Sequence, residues 1–417
     1  MKKFINVRLK GKKEKVELLV DEGVIIAIDS KIDDTDKKVD EVIDLEGNLV
    51  VPPYVDPHLH LDYVFTASMG EQNGSGTLFE GIQRWSESKG NVSIEQMKER
   101  IYRGIRKEML QGVQAIRTHI DVTEPSLTGL KAALEVKSEL KDKLDLQIVA
   151  FPQEGMYAYR GGAELVEESL KMGADCVGAI PHFELARSFG ERSIHKTVEL
   201  AIKYDKLIDV HCDETDDTQS RFLELLNALV TMEEIGTRTA ASHTCSFGSA
   251  DNSYAFRMMT LLKKSGINFI SCPTENIYLQ GRQDTYPKRR GLTRVKELND
   301  NGINVCFAQD SMSDPWYPLG NGNMMMILDH GIHIAQMMNP DEIENALDLV
   351  TINGAKTMNL KDYGIEVGKS ANFIVLDAKN EFDAICERAG VLASVRHGEF
   401  LYQKEPAKVV NAIDFLQ

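Results

Sequence analysis

Leu49-Val50-Val51-Pro52-Pro53-Tyr54-Val55-Asp56-Pro57-His58-Leu59-His60 is the stretch on which the fold turns. Its apolar start, Leu49 to Tyr54, reads as a buried strand that runs out into Asp56, His58 and His60. Outward from it, seven further short apolar runs have the same character: Ala115 to Ile120, Asp145 to Ala150, Cys176 to Ile180, Leu207 to Val210, Thr239 to Ser242, Asn268 to Cys272 and Asn304 to Ala308. Segments with helical spacing separate them, among them Ile94 to Gln111, Ser126 to Leu140, Gly162 to Met172, Ser193 to Tyr204 and Ser220 to Ile235. Continuous apolar strands alternating with amphipathic helices imply parallel βαβ units. Eight such strands are the number that closes a (β/α)8 TIM-like barrel. An open doubly wound sheet is the structural alternative, but its G-x-G-x-x-G fingerprint between first strand and helix is missing.

The two ends of the chain read differently. Phe4 to Leu9, Lys15 to Val20, Val24 to Asp29 and Glu41 to Asp44 are short strands separated by polar and glycine-containing turns. Ala371 to Asp377, Val391 to Arg396 and Phe400 to Tyr402 repeat the pattern near the C-terminus. Strand-rich ends around an alternating middle predict an α/β protein whose small β-sandwich domain is assembled from both termini. The expected domains are residues 1–50 with 362–417, and a catalytic barrel over residues 51–361.

Composition narrows the function. The 417 residues are 42% hydrophobic and 27% charged, the balance of a globular protein, and no apolar run approaches the ~20 residues that span a bilayer. The first residues, Met1-Lys2-Lys3-Phe4, lead into alternating, charged sequence without the apolar core of a secretion signal. Lys and Arg number 48 against 64 Asp and Glu, a net charge of -16, which repels a phosphate backbone. The dense basic cluster Lys288-Arg289-Arg290 is too short to override it. A small neutral or cationic substrate is expected, with neither nucleic acid nor membrane as partner. The six cysteines show no C-x-x-C spacing, and a chain of this length needs no disulfide staples, so a reducing cytoplasm is the expected compartment.

The polar residues fall at strand ends. The first strand runs into His58 and His60, the fifth into His211-Cys212-Asp213-Glu214, the sixth into Ser242-His243-Thr244, and the eighth into Gln309-Asp310. A barrel builds its site at the C-terminal ends of its strands, so these groups share one mouth. Residues i and i+2 of an extended segment point the same way, which lets His58 and His60 grip one ion together. With His211 and Asp310 they form an N3O set suited to a divalent transition metal with an open position for water. One histidine at a strand end has an ordinary structural explanation; four such groups on three strands do not. His119 and His182 also end strands, as a supporting residue and a pocket-lining residue, whereas His195, His330, His333 and His397 fall on helices or turns.

The chain resembles the bacterial cytosine deaminases of the amidohydrolase superfamily. The resemblance is carried by Pro57-His58-Leu59-His60-Leu61-Asp62, Ser75-Gly76-Thr77-Leu78-Phe79-Glu80-Gly81, Phe151-Pro152-Gln153-Glu154-Gly155 and His211-Cys212-Asp213-Glu214. It continues in Leu279-Gln280-Gly281-Arg282, Tyr286-Pro287-Lys288-Arg289-Arg290-Gly291 and Asp314-Pro315-Trp316-Tyr317-Pro318-Leu319-Gly320. It implies one divalent ion per subunit, Fe2+ or Zn2+, on His58, His60, His211 and Asp310, without the carbamylated lysine of binuclear relatives. It further implies Glu214 as proton shuttle, His243 as the group stabilising the attacking hydroxide, and Asp310 as both ligand and hydrogen-bond acceptor. Gln153 would read a ring carbonyl and its adjacent N–H, with Ser311, Trp316 and Leu78 also facing substrate. A homo-oligomer is implied as well. The other zinc-deaminase design, H-x-E followed by P-C-x-x-C, is absent from the sequence.

The resemblance has gaps. Ser311 stands where the cytosine deaminases usually carry a second aspartate, which leaves room for a ring methyl or a different cyclic amidine. Ser68 to Asn73 departs from the family's pattern, and Glu275 adds a carboxylate after the seventh strand. The expected activity is hydrolytic deamination of cytosine or a 5-substituted cytosine to the uracil and ammonia. Creatinine or isoguanine is the alternative substrate, and a ligand-binding barrel without catalysis is the alternative class.

Overall fold

Pro52 and Pro53 cut the decisive stretch in two. In the computed structural model, which describes residues 1–33, 35 and 38–407, the run expected as one strand is two: Leu49–Val51 and Tyr54–Leu59. Neither proline has an N–H to offer a ladder, so pairing stops and restarts around them. The first piece belongs to the terminal sheet; the barrel begins only at Tyr54. The chain correspondingly divides into two compact units, one of Met1–Pro53 with the described residues from Asp362 on, the other of Tyr54–Lys361. Residues 408–417 of the expected small domain lie outside the described ones.

The terminal unit contains β1 (Lys2–Leu9), β2 (Val16–Asp21), β3 (Val24–Asp29), β4 (Glu41–Asp44) and β5 (Leu49–Val51) from the N-terminal side. The larger unit contributes β6 (Tyr54–Leu59), β7 (Val113–Asp121), β8 (Asp145–Phe151), β9 (Cys176–Ala179), β10 (Leu207–Cys212), β11 (Thr239–His243), β12 (Asn268–Ser271) and β13 (Val305–Phe307). The chain then returns to the terminal unit through β14 (Phe373–Leu376), β15 (Val391–Arg396) and β16 (Glu399–Gln403). In that unit β1 serves three partners. It pairs β2 from Lys2 to Val7, with an irregularity between Phe4 and Val7, and β4 from Lys2 to Ile5, while Arg8 and Leu9 pair β5. β5 pairs β14, so strands from the two chain ends share one core that includes Phe4, Leu18, Val50, Phe373 and Val395.

In the larger unit, β6 to β13 are parallel and ordered in sequence. The ring shuts where β6 meets the segment after β13: Asp310 N donates to His58 O (2.8 Å) and His60 N donates to Asp310 O (3.2 Å). Strand β7 is buried at all nine positions, as a strand covered on both faces must be. Its one cation, Arg117, is matched by Asp209 Oδ2 at 2.8 Å, Gln147 Oε1 at 3.0 Å and Thr357 O at 3.0 Å.

Helices α1 (Leu78–Lys89), α2 (Ile94–Leu110), α3 (Thr128–Leu140), α4 (Gly162–Met172), α5 (Arg187–Tyr204) and α6 (Phe222–Met232) follow among the strands. Helix α5 starts six residues before the expected Ser193, because Gly190 packs against the Phe222 ring and does not break the helix. Helix α6 starts at Phe222 and not at Ser220, because the Asp213 carboxylate takes the N–H groups of Phe222 and Leu223 at 3.0 and 2.9 Å. Helices α7 (Cys245–Ser249), α8 (Asn252–Ser265) and α9 (Pro273–Leu279) come later in the barrel. No helix of the described residues is long and apolar enough to cross a membrane.

Candidate active site

His58 lies near the end of β6 and His60 just past it, both essentially without exposure. Each Nε2 lies 3.4 Å from Asp310 Oδ1, and His60 Nε2 lies 3.1 Å from His211 Nε2 at the end of β10. These contacts gather donor atoms from three places in the ring; the ligand atoms of His58, His243, Cys272 and Asp310, and separately those of His58, His119 and His211, lie within 4.8 Å of one another. The His58 tautomer follows from its neighbours. Ser242 Oγ donates to Asp209 Oδ1 (2.6 Å), so its lone pair accepts from His58 Nδ1 (2.9 Å), and the proton sits on Nδ1. Nε2 is then a bare lone pair, with no hydrogen-bond partner among the described residues. The ring of His119 on β7 lies 4.0 Å from that of His58 and supports it from behind.

Burial, reinforced by neighbouring imidazoles, pushes His211 and His119 far below the ordinary histidine value; burial likewise pushes His60 down. Burial opposes ionisation of Asp310, but the facing imidazoles His58, His243 and His60 outweigh it and hold that carboxyl low. Imidazole nitrogens beside a carboxylate are the donor chemistry a divalent cation needs. Cys272 also comes near His58, His243 and Asp310, and burial with the adjacent carboxyls pushes its thiol well up.

Glu214 is 3% exposed and turned inward, accepting from Asn276 Nδ2 at 3.1 Å, with His243 Nδ1 3.5 Å from the same oxygen. Burial, with the Asp310 charge behind it, drives its carboxyl well above the usual range. The acidic neighbours differ in role: Asp213 caps α6, and Asp216 pairs with Arg289. His243 Nδ1 also lies 3.8 Å from Asp310 Oδ2, and burial lowers this imidazole to about 3. His243 and Asp310 hold left-handed backbone, φ 67° and 68°, an unusual conformation for residues with side chains.

Gln153 follows β8, 3% exposed, with Oε1 unpartnered among the described residues. Past β9, both ring nitrogens of His182 are buried and unpartnered there as well. On another side Tyr63 stacks on His60, ring centroids 4.5 Å apart, and meets the Trp316 ring at a tilt, 4.4 Å away. Trp316 Nε1 donates to Leu78 O (3.2 Å), which ties the start of α1 to this wall, while the Leu78 side chain is half-buried. Ser311 is 1% exposed, and its side chain favours the charged form of both the Glu275 and the Asp314 carboxyl. Glu275 is 2% exposed and, chiefly through burial, its carboxyl is raised well above the usual range.

Residues 41–402 match the model of the Amidohydrolase family. The chain belongs to the amidohydrolase family. A solved structure of 5-methylcytosine deaminase from Klebsiella pneumoniae liganded with 5-fluorocytosine is 49% identical to this amidohydrolase. The two superpose with a TM-score of 0.95, covering 98% of this chain and 99% of that one. The same Klebsiella protein liganded with phosphonocytosine superposes with a TM-score of 0.94 at the same identity, covering 98% of this chain and all of that one. N-isopropylammelide isopropyl amidohydrolase from Pseudomonas sp. (strain ADP) is 30% identical over 392 residues, 91% of this chain and 92% of its own. This amidohydrolase is accordingly a hydrolase of carbon–nitrogen bonds in cyclic compounds, with a His/Asp cluster able to hold a metal.

Sequence reasoning about the amidohydrolase passed over three of these residues. Asp209 and Ser242, which set the His58 tautomer, had a signal: Asp209 lies two positions before His211 on one strand, hence on the same face. Asn276, which holds Glu214, carried none beyond its place in α9. Glu71, in the segment that departs from the deaminase pattern, pairs with Arg84 on the surface, its side chain 80% exposed.

Proposed function

We propose that this amidohydrolase hydrolyses the exocyclic amine of cytosine or a 5-substituted cytosine, releasing the uracil and ammonia. The observation that carries the reading is 49% identity, across 98% of the chain, to a 5-methylcytosine deaminase liganded with 5-fluorocytosine. His58, His60, His211 and Asp310 would hold one divalent ion, Fe2+ or Zn2+. Such an ion lowers the pKa of a bound water and so supplies a hydrolytic nucleophile at neutral pH.

The remaining steps belong to the protein. Gln153, with a donor and an unpaired acceptor, grips the ring carbonyl and the adjacent N–H. Glu214 takes the proton from the attacking water and gives it to the ring nitrogen, for which its raised carboxyl and its placement against His243 and Asn276 suit it. His243, kept neutral, orients that water between Asp310 and Glu214. The hydroxyl now on the carbon gives its remaining proton to the amine, the carbon–amine bond breaks as the carbonyl forms, and ammonia leaves, while the first proton stays on the ring nitrogen. Trp316 and the Leu78 end of α1 wall the ring, and Ser311 bounds its far edge.

An ammonia-release screen over cytosine, 5-methylcytosine, isoguanine, creatinine and an ammelide-type triazine tests the reading. Turnover of a cytosine above the other classes is expected; creatinine or triazine turnover with both cytosines inert overturns it. A metal-free protein retaining full activity would overturn the ligand assignment. A cytoplasmic home is also proposed, on the five buried and one exposed free cysteines. Family resemblance supports a homo-oligomer, which sedimentation tests.

A further inference from the structure

Resting on the deaminase reading, we propose that Glu275 and Ser311 form a polar subsite that reads a hydroxyl-bearing substituent on C5 of the pyrimidine. The barrel order supplies the placement. Gln153 follows the third strand of the ring, β8, and Glu275 follows the seventh, β12. In an eight-membered ring these positions are four strands apart in either direction, on opposite sides of the mouth. A pyrimidine held at its C2 carbonyl and N1–H by Gln153 therefore presents the opposite edge, C4 and C5, to the Glu275 side. C4 carries the reacting amine, so the substituent at C5 meets this wall.

The wall is polar and incompletely satisfied. Glu275 is 2% exposed, and its Oε2 has no hydrogen-bond partner among the described residues. Ser311, beside Asp310, is 1% exposed and its side chain acts on the same carboxyl, favouring the charged form. Asp314, the other carboxyl on Ser311, is already filled: Oδ1 accepts from Trp316 N and Tyr317 N at 3.0 Å each, and Oδ2 from Met312 N at 3.1 Å. Glu275 thus has capacity left over. A methyl on C5 would leave its buried oxygen unpaired, whereas a hydroxymethyl group would complete it. A site that bonds a substrate hydroxyl rejects the analogue lacking it far more strongly than an apolar pocket rejects a missing methylene.

The experiment compares kcat/KM for cytosine, 5-methylcytosine and 5-hydroxymethylcytosine in the metal-loaded full chain and its Glu275→Leu, Glu275→Gln and Ser311→Ala variants. Wild type should favour 5-hydroxymethylcytosine over 5-methylcytosine by about tenfold or more. Glu275→Leu should abolish or invert that ratio, and Glu275→Gln, which still hydrogen-bonds, should keep most of it. Should the leucine variant not fold, Ser311→Ala decides, since it removes half the subsite without enlarging a side chain, and it too should lower the ratio. A ratio unchanged in the variants, or equal losses on all three substrates, overturns the subsite. No turnover of any of the three by wild type overturns the deaminase reading and the subsite with it.

Discussion

Glu214 shows how burial decides a residue's role. In sequence it stands among Asp213, Asp216 and Asp217, as a solvated acidic loop would, yet it alone is both buried and turned toward His243. Glu214→Gln keeps the shape and the Asn276 bond but cannot carry a proton. Turnover is expected to fall about 10²–10⁴-fold with metal content unchanged, read by steady-state kinetics beside elemental analysis. Near-normal turnover would move the shuttle elsewhere. Ser242 makes a second test, because its hydroxyl is what places the His58 proton on Nδ1. Ser242→Ala leaves the Arg117–Asp209 pair in place and should weaken metal binding about 10–100-fold in a chelator competition, the usual effect of losing a ligand's supporting bond. Equal affinity would show that the relay does not orient His58. The residues of this cluster were legible where chemistry and strand position coincide, as at His58, His60, His211 and Asp310. Asn276 was not, since an amide inside a short helix gives no sign of what it faces.

At the scale of elements, alternation of apolar strands and amphipathic helices made the barrel readable, because a parallel strand buried on both faces has little choice of composition. Its first strand was misplaced by three residues of apolar sequence, Leu49 to Val51, whose hydrophobicity says buried but not in which sheet. Backbone chemistry resolves it, at the prolines. Gly190 lies inside α5, ahead of the expected start at Ser193, and a Cβ there would stand 2.5 Å from the Phe222 ring. Gly81 is a contact of the same kind. A Cβ there would stand 2.5 Å from Trp316 Nε1, so α1 can approach the site wall only with a bare Cα. Gly81→Ala should therefore displace the indole, lower kcat/KM with metal content unchanged, and cost about 1–3 kcal/mol of stability by denaturant titration. Wild-type kinetics in this variant would mean that Trp316 is no part of the substrate wall.

Across the whole molecule, the barrel buries two opposed sets of titrating groups. Burial pushes His60, His119 and His211 well down, and His182 and His243 to about 3, whereas in the unfolded chain each titrates near ~6.5. Between those values the unfolded chain binds more protons, so the histidine contribution is complete above about pH 6.5 and is lost as pH falls. Glu214 and Glu275 are raised well above the usual range, and Asp56, Asp62 and Asp314 to about 7. Their contribution has the reverse sign, present in acid and lost as pH rises through the folded values. One histidine outside the proposed ligand set separates the two. His182 carries both ring nitrogens buried and unpartnered among the described residues, so its proton must wait for unfolding. Its replacement by glutamine should remove up to about 3 kcal/mol of the wild-type loss in stability between pH 7.5 and pH 4. Urea titrations of the metal-free proteins across that range measure it, because without metal no ligand release adds to the slope. The wild-type curve should fall more steeply than that of the variant, and the gap should open only below about pH 6.5. Parallel curves would mean that water reaches the His182 ring in the folded barrel, and that this side of the mouth is open where the structure shows it closed.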